Sequence, residues 1–95
     1  MAYVYRHIRV DKNEPFYIGI SKKDSANYAR AFNHDYRHRN KHWVAIFNKT
    51  EIEVEILFEN ISYDQAKQKE IEFIKLYGRS IDGGILANLT KGGDG

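Results

Sequence analysis

Cysteine is absent from this chain of 95 residues, and proline and tryptophan each occur once. The lack of cysteine excludes a disulfide framework, a zinc site with thiolate ligands and a thiol nucleophile. No apolar run approaches the roughly 20 residues of a membrane-spanning helix, and the first residues show no signal-peptide pattern. The sequence therefore predicts a cytoplasmic protein with no membrane association.

The net charge is also small, formally +2, but the charges are unevenly distributed. Hydrophobic residues make up 42% of the chain and charged residues 29%, which is typical of one folded domain over residues 1–95. Five lysines or arginines and one acid lie within residues 30–49, whereas residues 51–64 contain five acids and no lysine or arginine. This asymmetry predicts a basic surface for an anionic polymer, although a solvated helix face gives the same pattern.

Hydrophobic periodicity predicts an α+β domain with the order β-β-α-α-β-α. The predicted strands cover residues 2–10, 15–21 and 51–58. The predicted helices cover residues 24–34, 40–48 and 62–77. The first two strands are expected to form an antiparallel hairpin, and the apolar residues of the third to share one inward face. The last helix has a capping box that begins at Ser62 and a glycine stop at Gly78.

The second strand, PFYIGIS, has an unusual polar side made of Tyr17, Gly19 and Ser21. Glycine weakens a strand, so Gly19 predicts that another group approaches the backbone there. The two-residue period of the first strand places Tyr5 on the same side. This side is expected to be the outer face of the hairpin.

Glu70 is a charged residue on an apolar helix face. It shares a stripe, at spacings of three and four, with Ala66, Phe73, Ile74 and Tyr77. Burying an isolated carboxylate costs several kcal/mol, so such a group usually has a cation, a set of donors or a metal. The pattern leaves two alternatives open, which are an ion pair with an arginine at the edge of the stripe and a site for a divalent cation.

Arg30 and His34 lie four residues apart in the first predicted helix and therefore share a face. An arginine fork binds phosphate oxygens, and a histidine can transfer a proton. Taken alone, His34 is better explained by a place at the surface. Together with Tyr5, Tyr17 and Glu70, however, these residues supply the groups that metal-dependent phosphodiester cleavage needs, and they are expected to surround one cavity.

On these residues the chain resembles the GIY-YIG nuclease family over essentially its whole length. Residues 3–5, YVY, are similar to the first tripeptide of the family, with tyrosine in place of the usual glycine, and residues 17–19, YIG, match the second. The other matching positions are, in order, Arg30, His34, Glu70 and Asn88. The resemblance implies a three-stranded antiparallel sheet flanked by three helices.

The resemblance also implies an endonuclease that hydrolyses a DNA phosphodiester with one divalent cation, Mg²⁺ or Mn²⁺, and leaves 5′-phosphate and 3′-hydroxyl ends. Tyr5 would activate water, and Tyr17 would orient the phosphate or the water. Arg30 would stabilise the transition state, while His34 would assist proton transfer or hold Tyr5. Glu70 would ligate the metal.

The resemblance further implies supporting residues and partners. The supporting residues are expected to be Tyr3, Gly19 and Asn88, with Gly19 leaving room for the DNA backbone. Arg37, Arg39 and Lys41 are expected to bind neighbouring phosphates without reading sequence. Either sequence specificity is low, or target choice depends on a separate recognition domain or protein. Two other classes stay open, a non-catalytic nucleic-acid-binding module of the same fold and a small protein-interaction domain.

Overall fold

The computed structural model describes residues 1–22, 31–32, 39–90 and 92. The strands are β1 (Ala2–Arg9), β2 (Glu14–Ser21) and β3 (Ile52–Ile61), and the helices are α1 (Lys41–Phe47) and α2 (Tyr63–Tyr77), followed by a 3₁₀ turn (Ser80–Asp82). The fold is α+β, as predicted, with an antiparallel sheet in the order β2-β1-β3. The first predicted helix lies outside the described residues except at 31–32, which form a turn, so the described residues contain two α-helices instead of three.

Helix α2 begins and ends where the sequence predicts. The Ser62 side chain accepts a hydrogen bond from the Gln65 N–H (3.1 Å), and the Gln65 side chain accepts one from the Ser62 N–H (3.0 Å). This capping box satisfies two of the free donors at the helix start. At the other end Gly78 adopts φ +79°, a conformation that favours glycine. Neither described helix is long and apolar enough to cross a membrane.

The central strand β1 is buried on both faces of the sheet. On one face, α2 packs Ala66 and Ile74 against a cluster that includes Val4. The buried residues of β1 on the opposite face are Tyr3, Tyr5 and His7, with exposures of 0%, 1% and 0%. The prediction that this second face is the outer surface of the hairpin is therefore wrong. Tyrosine and histidine carry both an apolar ring and a polar group, so alternation alone did not reveal that α1 and the segment at Ala31 pack there.

Strand β3 changes face along its length. Ile56 lies opposite Tyr5, whereas Phe58 lies opposite Val4, and the register shifts between these two pairs at Leu57. A bulge of this kind reverses the inside–outside alternation. Phe58 therefore packs in the cluster with α2 and Ile56 in the cluster with the tyrosines, so the prediction of one shared inward face is wrong at Phe58.

A buried hydrogen-bonded chain joins α1 to the sheet. The Trp43 indole N–H donates to Nδ1 of His7 (3.0 Å), and Nε2 of His7 lies 2.7 Å from the Ala31 carbonyl oxygen. Because an indole N–H can only donate, Nδ1 is the acceptor, and the proton on Nε2 is donated to Ala31. His7 is thus a neutral imidazole whose tautomer is set by its two neighbours, and it links β1 to both packed segments.

Replacing His7 with Phe keeps a ring but removes both hydrogen bonds. A buried polar group that loses its partner costs ~1–3 kcal/mol, and two groups lose theirs here, so we expect the free energy of unfolding to fall by about 2–6 kcal/mol. Urea denaturation followed by the fluorescence of Trp43, the only tryptophan, measures this loss. His42→Phe is the control, because His42 is exposed and its replacement is expected to change stability by less than about 0.5 kcal/mol. Equal losses in the two variants would contradict the structural role of His7.

Candidate active site

Gly19 lies against the ring of Tyr5. The two residues are register partners on β1 and β2. A Cβ atom at position 19 would overlap the Cζ and hydroxyl atoms of Tyr5 and would lie 2.7 Å from Cε2. The group that approaches the backbone of Gly19 in this structure is therefore the Tyr5 phenol, and the passage of a DNA backbone at this position stays a prediction.

Three tyrosines and His7 form a continuous aromatic layer on this face of the sheet. The ring centroids are 6.0 Å apart for Tyr3 and Tyr5, and 6.5 Å apart for Tyr5 and Tyr17. His7 stacks on Tyr17 at 5.6 Å. Tyr3 and Tyr5 are buried, whereas Tyr17 is partly exposed. Tyr17 is therefore the phenol of this layer that a ligand can reach most directly.

Arg39 stands beside this accessible phenol. Its guanidinium lies 5.4 Å from the ring centroid of Tyr17 and 5.0 Å from that of Trp43, within the range of cation–π attraction. A guanidinium does not lose its proton in proteins, so the positive charge at Tyr17 is permanent. Lys41, the first residue of α1, is exposed nearby in sequence.

Glu70 lies on the buried stripe of α2, as the helical period predicts. It is 8% exposed, between Ala66 at 0% and Ile74 at 3%. Its Oε1 atom lies beside the C-terminal segment, because a Cβ at Gly92 would come within 3.3 Å of it. Gly92 also has φ +93°, so a glycine is favoured at this contact for two independent reasons.

Three arginines form ion pairs with carboxylates other than Glu70. The carboxylate partners of Arg6, Arg9 and Arg79 are Glu55, Asp11 and Asp82. These three arginines therefore have carboxylate partners other than Glu70.

Glu70 and the phenols approach the sheet from opposite faces. Helix α2 packs against Val4 and Ile18, which alternate along their strands with Tyr5 and Tyr17. The expected single cavity would therefore have to span the outer edge of β2, which is an edge strand of the sheet. The described residues place the two groups on either side of that edge.

The C-terminal segment lines the same edge. The Ala87 N–H donates to the Phe16 carbonyl (2.6 Å). The Asn88 side chain accepts from the Ile18 N–H (3.0 Å) and donates to the Ile18 carbonyl (2.8 Å), so one amide satisfies both edge groups of a residue. The Asn88 side chain thus supplies the two hydrogen bonds that a neighbouring strand would supply to Ile18 of β2. The chain then continues towards Gly92.

Glu70 offers a divalent cation one carboxylate ligand. Within residues 1–22, 31–32, 39–90 and 92, no three His, Asp or Glu side chains lie together. Mg²⁺ commonly binds through one or two carboxylates and completes its coordination with water and substrate phosphate. The oxygen donor set at Glu70 fits that mode of binding and does not fit a fully protein-coordinated ion.

Three of the predicted site residues, Arg30, His34 and Arg37, lie outside the described residues. The sequence interpretation missed two structural contributors, His7 and Gly92. The alternation of His7 with Tyr3 and Tyr5 was the available signal for the first. Nothing local distinguished Gly92 from the other glycines near it.

The chain has no significant match among protein-family models, curated proteins or solved structures.

The contact between Tyr5 and Gly19 predicts a coupled pair. Gly19→Ala places a methyl group inside the Tyr5 ring, and overpacking of this kind costs ~1–3 kcal/mol. In a Tyr5→Val background the obstacle is gone, and the same change is expected to cost less than about 0.5 kcal/mol. Urea denaturation of the two single variants and the double variant measures the coupling. Equal costs in both backgrounds would show that the glycine is required for another reason.

Proposed function

We propose that this chain is a metal-dependent DNA endonuclease domain, which hydrolyses a phosphodiester bond to give a 5′-phosphate and a 3′-hydroxyl. The observation that carries the proposal is the burial of Glu70, 8% exposed, on a helix stripe whose other residues form the core. A buried carboxylate is stabilised by protein donors, by an ion pair or by a metal ion, and a divalent cation is the partner that this proposal adds for Glu70. The resemblance to GIY-YIG nucleases supplies the reaction.

Glu70 is the described residue that would hold the metal. When bound, Mg²⁺ or Mn²⁺ supplies positive charge that stabilises the negative charge developing on the phosphate. Arg30 and His34 keep the roles that the resemblance implies, the first in transition-state stabilisation and the second in proton transfer. Arg37, Arg39 and Lys41 would bind neighbouring phosphates of the DNA.

Tyr17 is the phenol that we assign to the substrate. It is partly exposed, whereas Tyr5 is 1% exposed and lies over Gly19. The charge of Arg39 beside Tyr17 would attract a phosphate to the same place. Tyr5, with Tyr3 behind it, would then support the site by holding the two strands in register.

A non-catalytic nucleic-acid-binding module is the second candidate. It is favoured by one observation, the approach of Glu70 and of the phenols from opposite faces of the sheet. Such a module would keep a salt-dependent affinity for DNA but would not cleave it. Nicking of a supercoiled plasmid in Mn²⁺, compared with the same reaction in chelator, separates the two candidates.

Glu70→Gln keeps the shape of the side chain but removes its charge. We expect plasmid nicking in Mg²⁺ or Mn²⁺ to fall by at least about 100-fold, the scale of losing a preorganised electrostatic contact, while duplex binding is nearly unchanged. Glu72→Gln is the matched control, because Glu72 is exposed on the same helix and pairs with Lys69 at 3.6 Å. Full activity of Glu70→Gln would contradict the metal assignment, and so would wild-type nicking in chelator.

Removal of single hydroxyls tests which phenol meets the substrate. Tyr17→Phe is expected to lower kcat by ~100-fold or more, the scale of losing a proton-transfer or positioning group. Tyr5→Phe is expected to leave kcat within about tenfold and to act mainly on stability, by ~1 kcal/mol. Single-turnover cleavage and urea denaturation of both variants give the two readouts. A larger kcat loss for Tyr5→Phe at unchanged stability would transfer the role to Tyr5.

A further inference from the structure

Two lysines from different elements share one tyrosine ring on the α2 side of the sheet. The Lys22 ammonium, just after β2, lies 5.4 Å from the ring centroid of Tyr63. The Lys67 ammonium, one turn along α2 from that tyrosine, lies 4.7 Å from the same centroid. The ring therefore contacts two positive charges, no more than about 10 Å apart, at the junction of β2 and α2.

The carboxylates of the described residues neutralise little of this charge. Lys22 is exposed and forms no ion pair with any described residue. Lys67 has Asp64 at 4.0 Å, the outer limit of an ion pair, and the Asp64 side chain is 94% exposed. Exposed pairs of this kind are weak and are screened by salt. Two like charges held at one ring with so little compensation favour an anionic ligand between them.

The position of the pair on α2 relates it to the candidate site. Tyr63, Lys67 and Glu70 follow one another at spacings of four and three, so they lie on one side of the helix. Lys67 and Glu70 are separated by ~4.5 Å along the helix axis, at 1.5 Å per residue. Phosphates of one DNA strand follow at ~3.4 Å per nucleotide along the duplex axis. A strand that runs along α2, with one phosphate at a cation on Glu70, would therefore bring a neighbouring phosphate towards Lys67 and the Tyr63 ring.

We propose that Lys22, Tyr63 and Lys67 form a binding surface for the sugar–phosphate backbone of the DNA strand that enters the site at Glu70. This proposal rests on the proposed endonuclease function and names a contact that is separate from the basic residues at positions 37, 39 and 41. Arg39 stands over Tyr17 on the opposite face of the sheet, so the two groups of cations would hold the strand on both sides of the β2 edge.

The experiment measures the salt dependence of duplex binding in a Glu70→Gln background, which prevents cleavage. Fluorescence anisotropy with a labelled 20-base-pair duplex is recorded between 50 and 200 mM salt. Each phosphate contact that is removed lowers the slope of log K against log salt by ~0.9, so Lys22→Ala/Lys67→Ala is expected to lower it by about 1.8. The control is Lys12→Ala/Lys75→Ala, which removes the same charge from exposed positions elsewhere and is expected to leave the slope unchanged.

Plasmid nicking by variants with Glu70 intact completes the test. Nicking by the wild type together with equal slopes for the two double variants would overturn the surface but leave the endonuclease. A selective loss of slope without any nicking by the wild type would support the surface and overturn the endonuclease. Failure of the chain to bind the duplex at 50 mM salt would overturn both. Tyr63→Leu, which removes the ring, is expected to weaken binding in the same direction as the lysine pair, whereas Tyr63→Phe retains it.

Discussion

The contact between the Tyr5 ring and the backbone of Gly19 is the constraint on which the candidate site depends. It allows only glycine at position 19, and with that it fixes which residues of β2 face which residues of β1. A slip by one residue would put a side chain beneath the phenol and turn the Tyr17 side of the strand towards α2. The same register sets His7 opposite Tyr17, where its two hydrogen bonds attach α1 and the segment at Ala31. The aromatic layer is therefore part of the buried core and not an outer surface of the sheet.

The sequence predicted most of the elements because their signals are local. The capping box at Ser62, the stop at Gly78 and the alternation of the hairpin each depend on residues within a few positions of one another. The same is true of Glu70, whose place on the buried stripe follows from the 3.6-residue period alone. The face of Tyr5 was wrongly predicted because alternation reports two faces but does not say which of them is covered. The face of Phe58 was wrongly predicted because nothing in the run of apolar residues around Leu57 indicates a bulge there.

The edge of β2 depends on contacts between residues far apart in the chain, which no local pattern reveals. The Asn88 side chain forms hydrogen bonds with the backbone of Ile18, 70 positions away in the chain, and Gly92 lies beside Oε1 of Glu70. An asparagine and a glycine in a segment rich in polar residues are typical of any loop. Only the fold shows that the asparagine completes a strand edge and that the glycine lies beside a buried carboxylate. The resemblance implied which residues would form the site, and the structure shows on which face of the sheet the described ones lie.

That arrangement determines what any phosphodiester chemistry on this fold would require. Tyr17 with Arg39 lies on one side of the sheet, and Glu70 with Lys67 lies on the other, so the strand β2 separates them. A substrate that contacted both would have to pass along the edge lined by Asn88. A flexible, negatively charged chain can follow such an edge, because its phosphates repeat every few ångströms and meet cations on either side. A compact small molecule could reach one side only. Under the proposed function, the division of the charged groups between two faces favours a polymeric anion over a small phosphoester as the partner.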